Sequence, residues 1–244
     1  ADFLFRGHIV ILADGSPFAL VVPVPILEMF VDEEEYLQAT STRYFVRGLR
    51  ALSFFIAMLG PGLYVAVLTV DTTILPGLLA IATASSRASI AYPILTETFL
   101  MLIIVDIMAE ATVSMKGILG PAISIVGSLI VGEAAVRANL ASNLGVILLA
   151  LTTLATFITP RYQMTYAARI WKYGFLFISG IFGIVGWTIG VLWLMTDLVG
   201  KRELGMHYLA PLAPFRPEAF STASATTDRK TRSADYMKTG RARS

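Results

Sequence analysis

The chain has no cysteine, only two histidines and few motifs of the kind that carry catalysis. Without cysteine it has no disulfide framework, no thiolate metal site and no cysteine nucleophile. His8 and His207 lie far apart in sequence with no paired carboxylate at ligand spacing, so no metal site is expected. A Gly-x-Ser-x-Gly elbow is absent, and so is a glycine-rich loop ending in Lys-Ser or Lys-Thr. We therefore expect no enzyme activity, no catalytic residues and no cofactor.

Charge is also scarce. Charged residues make up 15% of the chain, against about 25% in an average soluble domain. The formal net charge is only +2, and the basic residues form no stripe interleaved with aromatic side chains, which gives no support to a nucleic-acid partner. Hydrophobic residues make up 56% of the chain and fall into long uninterrupted blocks, which indicates that the solvent is lipid.

Five blocks are candidates for membrane-spanning helices. Four are uncharged, and the fifth contains acidic residues; they are 51–70, 117–132, 138–160, 173–196 and 92–115. About 20 helical residues cross about 30 Å of hydrocarbon, and the block at 117 reaches that length only with its polar continuation to Arg137. The more polar segments 72–91 and 162–172 are expected to lie in the membrane interface. The sequence therefore predicts an all-α fold, a polytopic transmembrane helical bundle of about five spans plus interfacial helices in a lipid bilayer.

The two ends of the chain differ from this membrane part. Two β-rich runs within residues 8–25 flank Asp14-Gly15, which predicts a β-hairpin left from a soluble N-terminal domain. The chain opens without Met or a signal pattern, so we expect a fragment or a processed chain. The expected order is a hairpin at 1–25, an amphipathic helix at 26–50, a transmembrane domain at 51–200, a post-membrane segment at 201–220 and a disordered basic tail at 221–244.

The predicted helix at 117–137 has two distinct faces when its residues are placed 100° apart. Small residues suited to close helix packing form one face: Gly120, Ser124, Gly127 and Ala134. A second, partly polar stripe holds Ala122, Val126, Glu133 and Arg137. If subunits assemble symmetrically, the first three of these line a pore, with Val126 as an apolar constriction, Glu133 as a cation-attracting ring and Arg137 at the mouth. The alternative is that Glu133 and Arg137, four residues apart, pair with each other near the membrane surface.

Three acidic residues fall within the block at 92–115. Asp106 and Glu110 lie one helical turn apart on one face, and Glu97 points almost the opposite way. An ionisable group at membrane depth costs a few kcal/mol unless it meets a partner or water, so each is a functional candidate. The alternative is burial against neighbouring helices in protonated or paired form. Thr152, Thr153 and Thr156 in the next block are expected to bond back to their own helix.

Several stretches resemble a known family in order and spacing from residue 6 to residue 214. They are 6–12 with 14–18, 120–127 with 132–136, and 205–211 with Pro214. In this respect the chain is similar to the A-subunit family of GerA-type spore germination proteins. The resemblance implies the C-terminal membrane half of a longer protein in the inner membrane of the bacterial endospore. It also implies germinant receptor B and C subunits as partners, and a nutrient-gated homo-oligomeric channel for monovalent cations whose glycine-rich helix lines the pore.

The sequence departs from the family pattern at several positions. Glu133 stands where the family commonly has Gln, and Leu102, Ala109 and Ser114 stand where Glu, Arg and Arg are frequent. The missing arginines leave the charge pairing of that helix open. These departures also fit an accessory paralogue, such as the stage V sporulation protein AF branch.

Two other classes compete with a channel. A secondary transporter should show an inverted repeat with broken helices in both halves. No such repeat is found, although Gly60-Pro61-Gly62 could break the first span. A non-conducting assembly or signalling subunit is the other alternative, since small-residue helices serve assembly as well as conduction.

Overall fold

The computed structural model describes residues 9–15, 19–31, 40–70, 72–114, 119–159, 162–203 and 206–209. The described residues are mostly helical, as predicted, and carry two short hairpins. The strands are β1 (Ile9–Leu12), β2 (Ala19–Val22), β3 (Arg202–Glu203) and β4 (Met206–His207). The α-helices are α1 (Ile26–Met29), α2 (Thr40–Thr69), α3 (Gly77–Arg87), α4 (Ile94–Ser114), α5 (Leu119–Arg137), α6 (Asn143–Ile158) and α7 (Tyr162–Gly200), with a 3-10 turn at Thr72–Ile74 between α2 and α3.

The chain divides into two compact units, residues 48–191 and the combination of 1–47 with 192–244. In the second of these, β1 pairs antiparallel with β2, with Ile9 opposite Val22. Gly15 in the connecting turn has a φ of 79°, a conformation that glycine adopts without steric cost. The predicted hairpin is therefore confirmed. The predicted tail at 221–244 and most of the post-membrane segment lie outside the described residues.

The unit at 48–191 holds a buried apolar core to which five helices contribute, α5 through Ala135. Val65 of α2, Leu102 of α4, Leu149 of α6 and Leu176 of α7 belong to one contiguous cluster. The helices also approach closely at Gly62, where an added Cβ would lie 3.1 Å from the Cβ of Phe175 in α7. A side chain here would require the backbone of Phe175 to shift by a few tenths of an ångström, so glycine favours this close approach of α2 and α7.

Among the described residues, two helices are long and apolar enough to cross a membrane, Tyr44–Thr69 and Gln163–Gly200, and α6 is a shorter apolar helix. Helix α2 continues through Pro61, so the described chain has no break at 60–62. Helix α2 begins at Thr40, so the last part of the predicted amphipathic helix at 26–50 forms one continuous helix with the first predicted span. The threonines at 152, 153 and 156 donate to carbonyls four residues earlier, as expected.

Helix α7 differs from the prediction of an interfacial segment followed by a separate span. Its 39 residues from Tyr162 to Gly200 form two helical segments that meet at a kink at Gly183, whose φ of 63° and ψ of −146° are not helical. A straight helix of that length would measure about 58 Å, which exceeds about 30 Å of hydrocarbon. One helix can therefore supply both a span and an extension beyond it. The predicted short helix within 72–91 is present as α3.

Candidate functional site

One side of helix α5 is exposed and combines apolar residues with an ion pair. Val126 is 55% exposed and Ile130 is 61% exposed. Further along, Arg137 Nη2 donates to Glu133 Oε1 over 2.7 Å, and these side chains are 79% and 60% exposed. At 100° per residue, the four side chains lie within about 60° of one another around the helix. We call this set, Val126, Ile130, Glu133 and Arg137, the α5 stripe.

The opposite side of α5 is packed within the same unit. A Cβ added to Gly127 would lie 2.4 Å from Met108 Cε of α4, and one added to Gly132 would lie 3.3 Å from Val146 Cγ1 of α6. Ala135 is buried on this side. Helix α5 therefore has α4 and α6 against one side, and none of the described residues covers the α5 stripe.

The other residues predicted on this helix are placed less fully. Gly120, Ala122 and Ser124 lie on α5, but their surroundings fall outside the described residues. Ala134, predicted on the small-residue face together with Gly127, is exposed. Ile130 joins the stripe although sequence reasoning did not single it out; its spacing of four from Val126 was the available signal. The packing and pore-lining roles of these residues stay predictions.

Glu97 lies at the centre of a buried polar cluster. Its Oε1 accepts hydrogen bonds from Ser142 N at 2.6 Å and from Ser142 Oγ at 2.8 Å, and its Oε2 forms an ion pair with Arg87. Because the serine proton is given to Glu97, the Tyr64 hydroxyl donates to Ser142 Oγ at 3.1 Å. Ser142 Oγ also accepts from Gly145 N at 3.1 Å, which caps α6. We call these five residues the Glu97 cluster; it joins α2, α3, α4 and the N-terminus of α6.

The buried side chain of Glu97 is surrounded by a cation and hydrogen-bond donors. Its side chain is only 1% exposed, but it has a guanidinium partner, two donors from Ser142 and the positive end of α6 nearby. A cavity of about 10 Å³ beside it has room for about one water molecule. This site is therefore a packed polar cluster rather than a pocket for an organic ligand.

A second polar cluster joins α4 to α7. Lys172 Nζ lies 2.9 Å from both carboxylate oxygens of Asp106, and the Tyr173 hydroxyl donates to Asp106 Oδ2 at 2.6 Å. Arg169 Nη1 donates to Glu110 Oε2 at 3.0 Å, and Arg169 Nε lies 3.6 Å from Asp106 Oδ1. We call this set the Asp106 cluster. Two cations therefore face two carboxylates across the interface between α4 and α7.

The three acidic residues predicted at membrane depth thus all have basic partners, supplied by α3 and α7 rather than by α4 itself. Sequence reasoning placed Arg169 and Lys172 in an interfacial segment and missed their pairing. Arg169 and Lys172 lie three residues apart on one apolar helix, and Asp106 and Glu110 lie four apart on another. Both spacings put the two side chains on the same face of their helix, and this was the available signal. In the part of the chain that the structure describes, no group of three or more His, Cys, Asp or Glu side chains is placed to hold a metal ion.

Comparison with known proteins relates nearly the whole chain to one family. The sequence model described as Bacillus/Clostridium GerA spore germination protein matches residues 1–234. Spore germination protein KA of Bacillus subtilis (strain 168) is 34% identical over 223 residues, which are 91% of this chain and 41% of that protein. Spore germination protein GerLA of Bacillus cereus is 33% identical over 211 residues, 86% of this chain and 43% of that protein.

A third relative carries a different description. Uncharacterized membrane protein YfkQ of Bacillus subtilis (strain 168) is 32% identical over 213 residues, 87% of this chain and 42% of that protein. The chain thus spans less than half the length of these curated relatives. No solved structure matches it. The match over residues 1–234 confirms the family resemblance: the chain belongs to the Bacillus/Clostridium GerA spore germination protein family.

Proposed function

We propose that the chain is the membrane part of a germinant receptor subunit in the inner membrane of the bacterial endospore. In this proposal it assembles with further copies of itself and with receptor B and C subunits, and conducts monovalent cations out of the spore when a nutrient binds. The family match and the relatives named as spore germination proteins support the germination role. The observation that carries the conducting role is the α5 stripe.

The proposal includes five membrane spans, α2, α4, α5, α6 and α7. Helix α4 has 21 residues and α5 has 19, which correspond to about 31 Å and about 28 Å, close to the thickness of the hydrocarbon. Three acidic residues on α4 argue against a span by composition alone. The ion pairs of these residues with α3 and α7 support a membrane span at α4, because a paired carboxylate avoids most of the cost of an isolated charge in lipid.

The α5 stripe supports assembly around α5. Its apolar part exposes Val126 and Ile130, whereas its C-terminal end carries charges that lipid does not solvate. A symmetric ring that turns this side toward a water-filled axis solvates the charges and brings the apolar side chains together as a constriction. In such a ring Val126 narrows the pore, Glu133 attracts cations and Arg137 lies at the mouth.

The ion pair between Glu133 and Arg137 also bears on an alternative function. It satisfies both charges inside one chain, which favours a non-conducting assembly or signalling subunit whose stripe only binds a partner. However, an exposed pair four residues apart on a helix contributes only about 0.3 to 0.5 kcal/mol. Glu133 is therefore free to exchange its partner for a passing cation at little cost, and we retain the conducting role.

The test is potassium efflux from liposomes that contain the full-length protein with its partners. We expect Val126→Ala to raise the leak without germinant, because it widens the constriction, and Glu133→Gln to change the preference among monovalent cations. Val185→Ala is the matched control, since Val185 is similarly exposed, at 62% against 55%, but lies on α7. Assembled protein that conducts in none of these forms, with or without germinant, would favour the non-conducting subunit.

A further inference from the structure

The segment between α5 and α6 is a short corner, residues 138–142, in which every backbone N–H donates a hydrogen bond. Leu140 N donates to Ala135 O at 2.9 Å and Asn139 N to Val136 O at 3.0 Å, while Asn139 adopts a φ of 54°. This is the Schellman end of a helix, and Asn is among the few residues other than glycine that tolerate the left-handed conformation. Ser142 then caps α6. The corner follows Arg137 directly, so its position fixes the C-terminal end of the α5 stripe.

Two side chains from outside hold this corner. Glu97 on the first turn of α4 accepts both the backbone N–H and the hydroxyl of Ser142. Ser89, in the connection between α3 and α4, donates to Asn139 Oδ1 at 3.0 Å. The corner therefore depends on α4 and on the residues that follow α3.

Helix α3 is attached to the same point through Arg87. Arg87 pairs with Glu97 Oε2, and its Nη2 donates to the carbonyl of Tyr92 at 3.2 Å. The rest of α3 buries little, since Thr83 is its single buried residue. Leu78 and Ile81 on this helix are exposed. A helix with so little buried apolar surface depends strongly on its one charged contact for its position.

We propose that Arg87, Glu97 and Ser142 form a latch that fixes the corner and the C-terminal end of α5, and that α3 is the element whose displacement releases it. Glu97 is the positioning residue of this latch. Withdrawal of Arg87 leaves a buried carboxylate without its cation, which favours an open arrangement in which water reaches Glu97 and replaces its hydrogen bonds to Ser142. The significance of the latch for conduction depends on the proposed function, because the released end of α5 carries Glu133.

The latch is tested by chemical labelling, for which the absence of native cysteine is an advantage. Ala141 is 3% exposed in the corner, so the thiol of an Ala141→Cys variant should react slowly with a maleimide in the full-length protein in lipid. Adding Arg87→Met should raise that rate by about tenfold or more, because the uncompensated carboxylate loosens the corner. Further addition of Glu97→Gln should return the rate toward the starting value, since the amide oxygen still accepts from Ser142 without a buried charge.

Two controls separate local release from general unfolding. Ala57 on α2 is 4% exposed and lies outside the corner, so an Ala57→Cys variant should label slowly in every background unless the whole protein unfolds. Lys201→Gln removes an exposed ion pair with Asp197 and should not change labelling at position 141. An Arg87→Met variant that labels no faster than the Lys201→Gln control would overturn the latch. So would a rise that Glu97→Gln leaves unreversed, because that result indicates unfolding rather than loss of charge pairing.

Potassium leak, measured on the same variants, keeps the latch apart from the proposed channel. If labelling responds as expected but neither Arg87→Met nor Val126→Ala conducts, the latch stands and the conducting role fails. If Val126→Ala raises the potassium leak while Arg87→Met leaves the labelling rate at position 141 unchanged, the conducting role stands and the latch fails.

Discussion

Replacement of Gly145 by alanine tests how tightly the Glu97 cluster is packed. A Cβ at this position would lie 2.8 Å from Glu97 Oε1, 2.9 Å from Ser142 Oγ and 3.4 Å from the Tyr64 hydroxyl oxygen. Glu97 and Ser142 are both almost completely buried and bond to each other, so neither can move without breaking a hydrogen bond to the carboxylate.

The expected magnitude follows from three opposing contributions. Alanine in place of glycine favours a helix by about 1 kcal/mol. Overpacking in a well-packed interior costs about 1 to 3 kcal/mol, and weakening a hydrogen bond to a charged group costs about 1.5 to 3 kcal/mol. We therefore expect Gly145→Ala to lower the free energy of unfolding by about 2 kcal/mol or more.

Two other glycines supply matched controls for thermal and denaturant unfolding of the protein in detergent. Gly174→Ala meets nothing within 4 Å and should stabilise α7 by up to about 1 kcal/mol. Gly127→Ala has the closest contact of the three, at 2.4 Å, but the contacted atom is the flexible end of Met108, so a change below about 1 kcal/mol is expected. If Gly145→Ala is as stable as wild type, or if Gly127→Ala lowers the stability more, a side chain at position 145 does not disturb the Glu97 cluster as expected.

Further changes test the contacts between helices by the same unfolding measurement. Lys172→Met should cost up to about 3 kcal/mol, because Asp106 loses its closest cation and keeps the more distant Arg169. Adding Asp106→Asn should recover part of that loss in a double-mutant cycle; equal loss in the double variant would argue against a charge effect. Trp187→Phe removes the 3.2 Å hydrogen bond to the carbonyl of Leu59 and should cost about 1 kcal/mol, and an unchanged midpoint would show that α2 and α7 do not depend on it.

The charges on α4 determine how this helix is held. Its apolar residues give it little amphipathic character, so hydrophobic burial alone does not select one orientation against its neighbours. Glu97 points to α3 and α6, and Asp106 with Glu110 points to α7. The two polar clusters therefore fix the rotation of α4, because any other rotation would separate carboxylates from their cations.

Several features could be predicted from the sequence because they depend on neighbours in the chain. The Asp14-Gly15 turn between two β-rich runs specifies a hairpin through local backbone preference, and the structure has it. The apolar blocks at 51–70 and 173–196 predicted spans from length and hydropathy alone, and both lie within long apolar helices. The opposite orientation of Glu97 relative to Asp106 followed from helical periodicity. The family resemblance was carried by short motifs whose order is a property of the sequence.

The partners of the charged residues were decided by the tertiary structure. Arg87 and Glu97 are ten residues apart, and Lys172 and Asp106 are 66 residues apart, so no local rule links them. The sequence does not distinguish Gly145 from other helical glycines, because the contact with Glu97 Oε1 exists only in the folded structure. Composition and periodicity determine which segments are helical and apolar because those properties depend on each residue and its near neighbours. Which carboxylate meets which cation depends on how the helices pack, and that is fixed only when all of them bury their surfaces together.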